Sequence, residues 1–454
     1  MNGLLDLDTL KLAAKDGNID TVLVCLVDMQ GRLMGKRFHV SNFLESAWQE
    51  THCCNYLLAT DLEMGTPDGY ASTSWQSGYG DYIMKPDLTT LRQLPWLDKT
   101  ALVLCDILDH HSHQAVPHSP RAILKKQIEQ LKAIGFDAKM ATELEFFLFK
   151  DTLENCRKQH YMDLEPISGY NEDYHILQTT KEEPVMQRLR NALYNAGIPV
   201  ENSKGEAEAG QEELNIKYSD ALACADHHTI AKQATKEIAW QQGHSATFLP
   251  KWHTDRVGSA SHIHLSLWKD GSNAFCDADE RYGMSQLMRQ FMAGMIHYAA
   301  DYTVLLAPYV NSYKRFAKGT FAPTKTAWSV DNRTAGFRVC GEGTKSVRVE
   351  CRIPGSDVNP YLAQAALIAA GLQGIENQMP LAEPATGDLY NDDNVAEVPR
   401  TLRSAIVSFK NSSMLVNAMG EEVVNHYTRC AQWEQDCFDN AVTQWEVARG
   451  FERA

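Results

Sequence analysis

The sequence has no apolar run long enough to cross a bilayer. Its longest nearly apolar stretch, Tyr361 to Ile375, is interrupted by Gln364 and Gln373 and falls short of the roughly 20 residues a membrane helix needs. Basic residues are in deficit: 43 Lys+Arg stand against 58 Asp+Glu, a formal charge of -15. Such a field repels nucleic acid and anionic membrane unless a local basic patch overrides it, so neither is an expected partner. The first residues, Met-Asn-Gly-Leu-Leu-Asp-Leu-Asp, lack the basic start and long apolar core of a secretory leader. The 11 cysteines show no CxxC spacing, which fits reduced thiols of a cytoplasmic protein better than a disulfide framework. The Cys53-Cys54 pair reads as packing. No internal repeat or low-complexity tract appears. What remains is ordinary globular composition, 44% hydrophobic and 22% charged over 454 residues, enough for two to three domains or one large one.

Apolar residues from Thr21, a turn at Met29-Gln30-Gly31-Arg32 and a second run to Val40 predict a β-hairpin in a small sheet domain. Residues 64–81, dense in Gly, Ser, Thr and Asp, predict a long irregular loop, and loops of that length are often functional. Ser119-Pro120 opens a helix that Gly135 closes, and Asn359-Pro360 opens an alanine-rich one running to about Gly374. The informative strands are Lys139 to Lys150, Leu214 to Tyr218, Ser261 to Trp268 and Ser346 to Ile353, giving an α+β chain.

Three of those strands carry chemistry on one face. The two-residue period puts Glu143 and Glu145 opposite Leu144, Phe146 and Leu148. It puts His262, His264 and Ser266 opposite Ile263, Leu265 and Leu267, and Arg348, Glu350 and Arg352 opposite Val347, Val349, Cys351 and Ile353. Glu206 and Glu213 flank an acidic, glycine-containing turn in which Glu208 and Glu212 are expected to face solvent. One such face alone would be a wet strand; several carboxylates held together repel unless cations neutralise them. Oxygen donors with imidazole suit Mg²⁺ or Mn²⁺ better than structural zinc. Arginine beside metal suggests phosphate, and the sum is a phosphoryl-transfer site.

The segments Asp28 to Arg37, Glu143-Leu-Glu145, Glu206 to Glu213, Gly258 to His264, Asn311 to Arg315, Asn332-Arg333 and Arg348 to Tyr361 occur in the order found in glutamine synthetase and its γ-glutamyl-amide ligase relatives. The chain resembles that family over nearly its whole length. The resemblance implies a β-grasp N-terminal domain over 1–108, a catalytic domain over 109–454 with a curved antiparallel sheet flanked by helices, and a dodecamer-type ring with active sites between subunits. It implies ATP as substrate and at least two Mg²⁺ or Mn²⁺ ions, one held by Glu145, Glu206 and Glu213, the other by Glu143, His262 and Glu350. His264, Ser266 and Lys345 would face the nucleotide, Arg333, Arg338 and Arg348 the phosphates, and Gly258, Arg315 and Arg352 the glutamate, where an arginine fork suits a carboxylate. The implied reaction forms γ-glutamyl phosphate, which an amine then displaces.

Ammonia-using members place a glutamate just before Ala-Pro, where it takes a proton from ammonium. Here that residue is Phe321, followed by Ala322-Pro323. A phenyl ring accepts no proton and accommodates an apolar substituent on nitrogen. An organic amine is therefore expected ahead of ammonia, with an aromatic or short alkyl monoamine as the leading class. A polyamine remains open, because the 61–81 loop offers Asp61, Glu63 and Asp68 as well as Tyr70, Trp75 and Tyr79; Asp61 matches the family aspartate that reaches a neighbour's amine site. The family's adenylylation loop is replaced by Asp388-Leu-Tyr390-Asn-Asp-Asp, so that modification is not expected. A non-catalytic ring would have lost ligands, yet all six metal positions are present. Phosphorylation of a small guanidino or carboxylate compound without amide formation leaves the Arg315–Arg352 pair without a purpose.

Overall fold

The computed structural model describes residues 3–454; Met1 and Asn2, the first residues of the segment read as lacking a leader, lie outside the described residues. Two sheets organise the chain. The first contains β1 (Thr21–Val27), β2 (Leu33–His39), β3 (Thr51–Cys54), β4 (Asp81–Gln93) and β5 (Thr100–Asp109), in the order β2-β1-β5-β4-β3. β1 and β2 are the expected hairpin. The Asp28 carboxylate caps its turn, accepting from the backbone N–H groups of Gln30 (3.0 Å) and Arg32 (2.8 Å) and from Arg32 Nε (2.7 Å), while Gly31 supplies a φ of +79°. β1 pairs with β5 in parallel and is covered on both faces: Val22, Val24 and Leu26 pack under the amino-terminal helix, Cys25 against the second sheet's core. That two-sided burial explains why β1 reads as a continuous apolar run and not as an alternation.

The second sheet contains β6 (Asp137–Phe149), β7 (Val200–Gly205), β8 (Gln211–Asp220), β9 (Ser245–Thr247), β10 (Ile263–Lys269), β11 (Ser272–Asn273), β12 (Trp328–Val330), β13 (Phe337–Cys340) and β14 (Arg348–Cys351). Its main path is β12-β13-β14-β10-β6-β8-β7, with β9 on β6 and β11 on β10. The expected antiparallel pairing needs one correction, since β12 and β13 run parallel. β14 is also shorter than Ser346 to Ile353, because the residues before Arg348 close a turn in which Val347 N–H donates to the Thr344 carbonyl. Leu144, Phe146 and Leu148 pack on the helices Glu183–Asn195 and Ala221–Gln241. The alanine-rich helix Pro360–Glu376 crosses the helix Gln286–His297 at Gly294 and Gly374. A Cβ on either would come within 2.2 Å of a carbonyl oxygen of the other helix, so the close approach requires glycine. Among the described residues no helix is long and apolar enough to cross a membrane.

Arg121, 1% exposed, joins the two layers. Its guanidinium donates to Asp106 (2.6 Å) on β5, Asp87 (3.0 Å) on β4 and Asp226 (2.9 and 3.1 Å) on the helix Ala221–Gln241. Removing one partner of a buried ion cluster strands the others. Arg121→Met is therefore expected to lower the unfolding free energy by about 3–5 kcal/mol, read from urea titrations followed by circular dichroism.

Candidate active site

The registers of the second sheet assemble the site. Glu145 lies opposite Glu213, and Lys204 opposite Glu213 on its other side, forming a row across β6, β8 and β7. On the other half, His264 and Arg338 both lie opposite Glu350. Two ligand clusters result. One ligand atom from each of Glu145, Glu206 and Glu213 falls within 4.8 Å of the others, and the same holds for Glu143, His264 and Glu350. The sequence reading assigned His262 to the second cluster and His264 to the nucleotide, yet both imidazoles reach Glu143. His262 Nδ1 is 2.8 Å from one oxygen and 3.4 Å from Glu350, and His264 Nε2 is 2.9 Å from the other Glu143 oxygen.

The electrostatics of the clusters differ. Burial, reinforced by the Glu206 charge, pushes Glu145 up to about 8, and burial with Glu143 and Glu206 pushes Glu213 up to about 9. Burial alone would raise Glu143 too, but hydrogen bonds to His262 and His264 hold it well below the carboxylate range. Glu350, fully buried, is held down to about 2 because Arg352 and the two histidines outweigh its burial. It accepts from Arg352 Nη1 (2.7 Å) and Arg338 Nη1 (3.0 Å). The three-carboxylate group fits a hard divalent cation: oxygen donors converge without enough protein cations to neutralise them.

Two cavities meet at this row. The first, about 390 Å³, is lined by the carboxylates with Gly258, Arg315, Phe321, Arg333, Arg338 and Arg352. Arg315 and Arg352 are buried, and each leaves its Nε without a partner; burial brings Arg315 down to about 10. Gly258 must be glycine, since a Cβ there would sit 2.5 Å from Arg315 Cγ and from the Pro250 carbonyl oxygen. Phe321, 57% exposed, carries a left-handed φ of 56°, an unusual backbone for a bulky residue and one that aims functional side chains. The second cavity, about 580 Å³, is lined by His264, Ser266, Lys345 and Arg348 with Tyr218 and Trp268, whose rings stack at 6.1 Å.

Asp61 is not brought to either cavity of its own chain. It accepts from the Gly65 N–H (2.6 Å) and Trp433 Nε1 (3.1 Å). Tyr390 is buried. Two solvent assignments are corrected. Glu208 is half-buried and accepts from Arg256 Nη1 (2.9 Å). Glu212 is 1% exposed, because it points away from the metal face of β8 into a pocket with Glu172 and Glu182. Sequence reasoning also missed Tyr174 and Asp173, which come from a loop without periodicity, and Lys204. The last was legible, because Asn202, Lys204 and Glu206 alternate along one face.

The buried acids behind β8 carry a pH dependence. Burial, with the neighbouring Glu212 carboxyl, raises Glu182 to about 9, and burial with the Glu182 charge raises Glu172 to about 8. The folded chain keeps protons that the unfolded chain loses near 4.5, so stability falls as pH rises between those values and is unaffected below them. Glu182→Gln cannot ionise. It is expected to raise the melting temperature at pH 9 by roughly 2 °C and to leave it unchanged at pH 4, by calorimetry.

A family model described as glutamine synthetase, catalytic domain, matches residues 117–450. The chain belongs to the glutamine synthetase family. It is 47% identical over 451 residues to a γ-glutamylethanolamide synthetase of Streptomyces coelicolor, covering 99% of this chain and 96% of that protein. It is 35% identical over 436 residues to a glutamate–isopropylamine ligase of a Pseudomonas species, covering 95% of each. A solved GmaS–ADP complex superimposes with a TM-score of 0.85 at 25% identity, covering both chains completely. The α+β fold with a glutamine-synthetase catalytic domain is thereby established; enzymes of that family use ATP and divalent metals, and the two acidic clusters could hold such ions.

Proposed function

We propose that this member of the glutamine synthetase family is an ATP-dependent ligase joining the γ-carboxylate of L-glutamate to a short alkyl amine, of which ethanolamine is the first to test. The observation that carries the amine is Phe321 at the wall of the first cavity, where ammonia-using relatives place a proton acceptor. The two curated relatives named above, an ethanolamide synthetase and an isopropylamine ligase, support it.

Arg315 and Arg352 hold the carboxylate groups of glutamate, their unpartnered Nε–H groups adding donors beside the cavity. ATP occupies the second cavity with its base near Tyr218 and Trp268. Arg333, Arg338 and Arg348 take up phosphate charge, which a preorganised site does without reorganisation. Divalent metal, Mg²⁺ or Mn²⁺, would be held by Glu145, Glu206 and Glu213 and by Glu143 and Glu350 with His262 or His264, and would supply charge neutralisation during phosphoryl transfer. Phe321 offers the amine an apolar wall and no base, so the amine reacts as its free base. The domain division at 108/109, a ring assembly with shared active sites and a cytoplasmic setting belong to the same reading. The displacement of Asp61 from its own cavity supports the shared site.

The test is phosphate release from ATP with Mg²⁺ and glutamate, across ammonium, methylamine, isopropylamine, aniline, ethanolamine and putrescine, with product masses. A γ-glutamyl alkylamide as main product is expected. Ammonium as preferred substrate would sink the role given to Phe321, and inactivity with every amine would favour a non-catalytic ring.

A further inference from the structure

Four residues line both cavities: Glu143, Tyr174, Lys204 and Glu213. Lys204 is the one cation among them. The two carboxylates belong to the metal clusters, so the phosphate passing from the nucleotide cavity to the glutamate cavity meets a single protein-borne positive charge on the shared wall. Lys204 stands on the edge strand β7, directly opposite Glu213. Its side chain is 18% exposed, and its ammonium pairs with Glu206 and lies 3.6 Å from Asp173. It also donates to the Gly205 carbonyl at 3.4 Å and sits 4.6 Å above the Tyr174 ring. A lysine that stays charged on a four-carbon stem serves as a movable point charge for a phosphoryl group.

We propose that Lys204 is a catalytic residue that contacts the γ-phosphoryl group of ATP during its transfer. In that step a γ-carboxylate oxygen of glutamate forms a bond to the γ-phosphorus, the bond from that phosphorus to the β,γ-bridging oxygen breaks, and the electron pair leaves on ADP. Lys204 gives up no proton; it follows the phosphoryl charge from the second cavity to the first. The assignment rests on the ligase reading above.

The test compares nucleotides that differ in the γ-phosphate. Binding of ADP and of the non-hydrolysable analogue AMP-PNP is measured by calorimetry with Mg²⁺ for the wild-type protein, Lys204→Met and Lys204→Arg. A lost charge-assisted contact is expected to weaken AMP-PNP binding roughly 10- to 100-fold in Lys204→Met, with ADP affinity within about two-fold of wild type and Lys204→Arg intermediate. Equal weakening of both nucleotides, no change in either, or a shifted Mg²⁺ requirement at constant ADP to AMP-PNP ratio would overturn the assignment, the last because Lys204 would then only neutralise Glu206. If the wild-type protein forms no γ-glutamyl amide, the ligase reading fails and the assignment falls with it. If it forms the amide and Lys204→Met does not discriminate, the assignment fails alone.

Discussion

Glu145→Gln should lower kcat for amide formation by roughly 10³-fold while leaving the fold in place. Glu145 accepts the Ala260 N–H at 2.7 Å, a bond a glutamine carbonyl oxygen keeps. What changes is charge. The group of Glu145, Glu206 and Glu213 loses one of the three carboxyls that converge within 4.8 Å and that would ionise on a divalent cation, and with it much of its attraction for that cation. The melting temperature is expected to hold or rise, because burial already pushes the Glu145 carboxyl up to about 8 and the amide removes that unfavourable ionisation. Stopped-time product assays at saturating ATP and glutamate, paired with calorimetry, separate the effects. Activity within tenfold of wild type would show that this carboxylate group holds no essential metal.

The second large effect concerns nucleophile choice. Phe321→Glu places a carboxylate at the wall of the glutamate cavity where ammonia-using relatives carry one. General-base assistance is worth about 10²–10⁴-fold, so kcat/KM for ammonium should rise by at least ~10² while that for the alkylamine falls. The strained backbone at φ 56° suits glutamate no worse than phenylalanine, and the exposed side chain leaves no core void. Competition of ammonium against ethanolamine, with the two products resolved by mass, measures the switch. An unchanged product ratio would mean that the amine does not pass Phe321.

The chemistry-bearing strands were legible because period-two alternation reports a face, and the faces of β6, β10 and β14 are the walls of the site. Alternation does not report which strands become neighbours. The pairing of Glu145 with Glu213 and of His264 with Glu350 is a matter of register: the sequence reached the first only through family resemblance, and for Glu350 the resemblance named His262 where the register sets His264 opposite. It also failed where a face lay under cover. Glu212 follows the acidic turn and looks solvated, but the loop carrying Glu172 and the helix after Glu182 close over it. Tyr174 and Asp173 arrive from an aperiodic loop, for which no pattern exists. Asp61 pairs with Trp433, 372 residues away, a contact no local signal encodes.

Arg121, bonded at once to two strands of the first sheet and a helix beneath the second, ties the layers together. A swing of one layer against the other to admit ATP and glutamate would have to break those buried bonds. Admission falls to the segments that overhang the cavities, where Tyr174 and Phe321 both hold left-handed backbone, φ 56° in each case. Loop rearrangements take nanoseconds to microseconds, so adjustment at these two segments would be fast beside any change that had to part the buried bonds of Arg121.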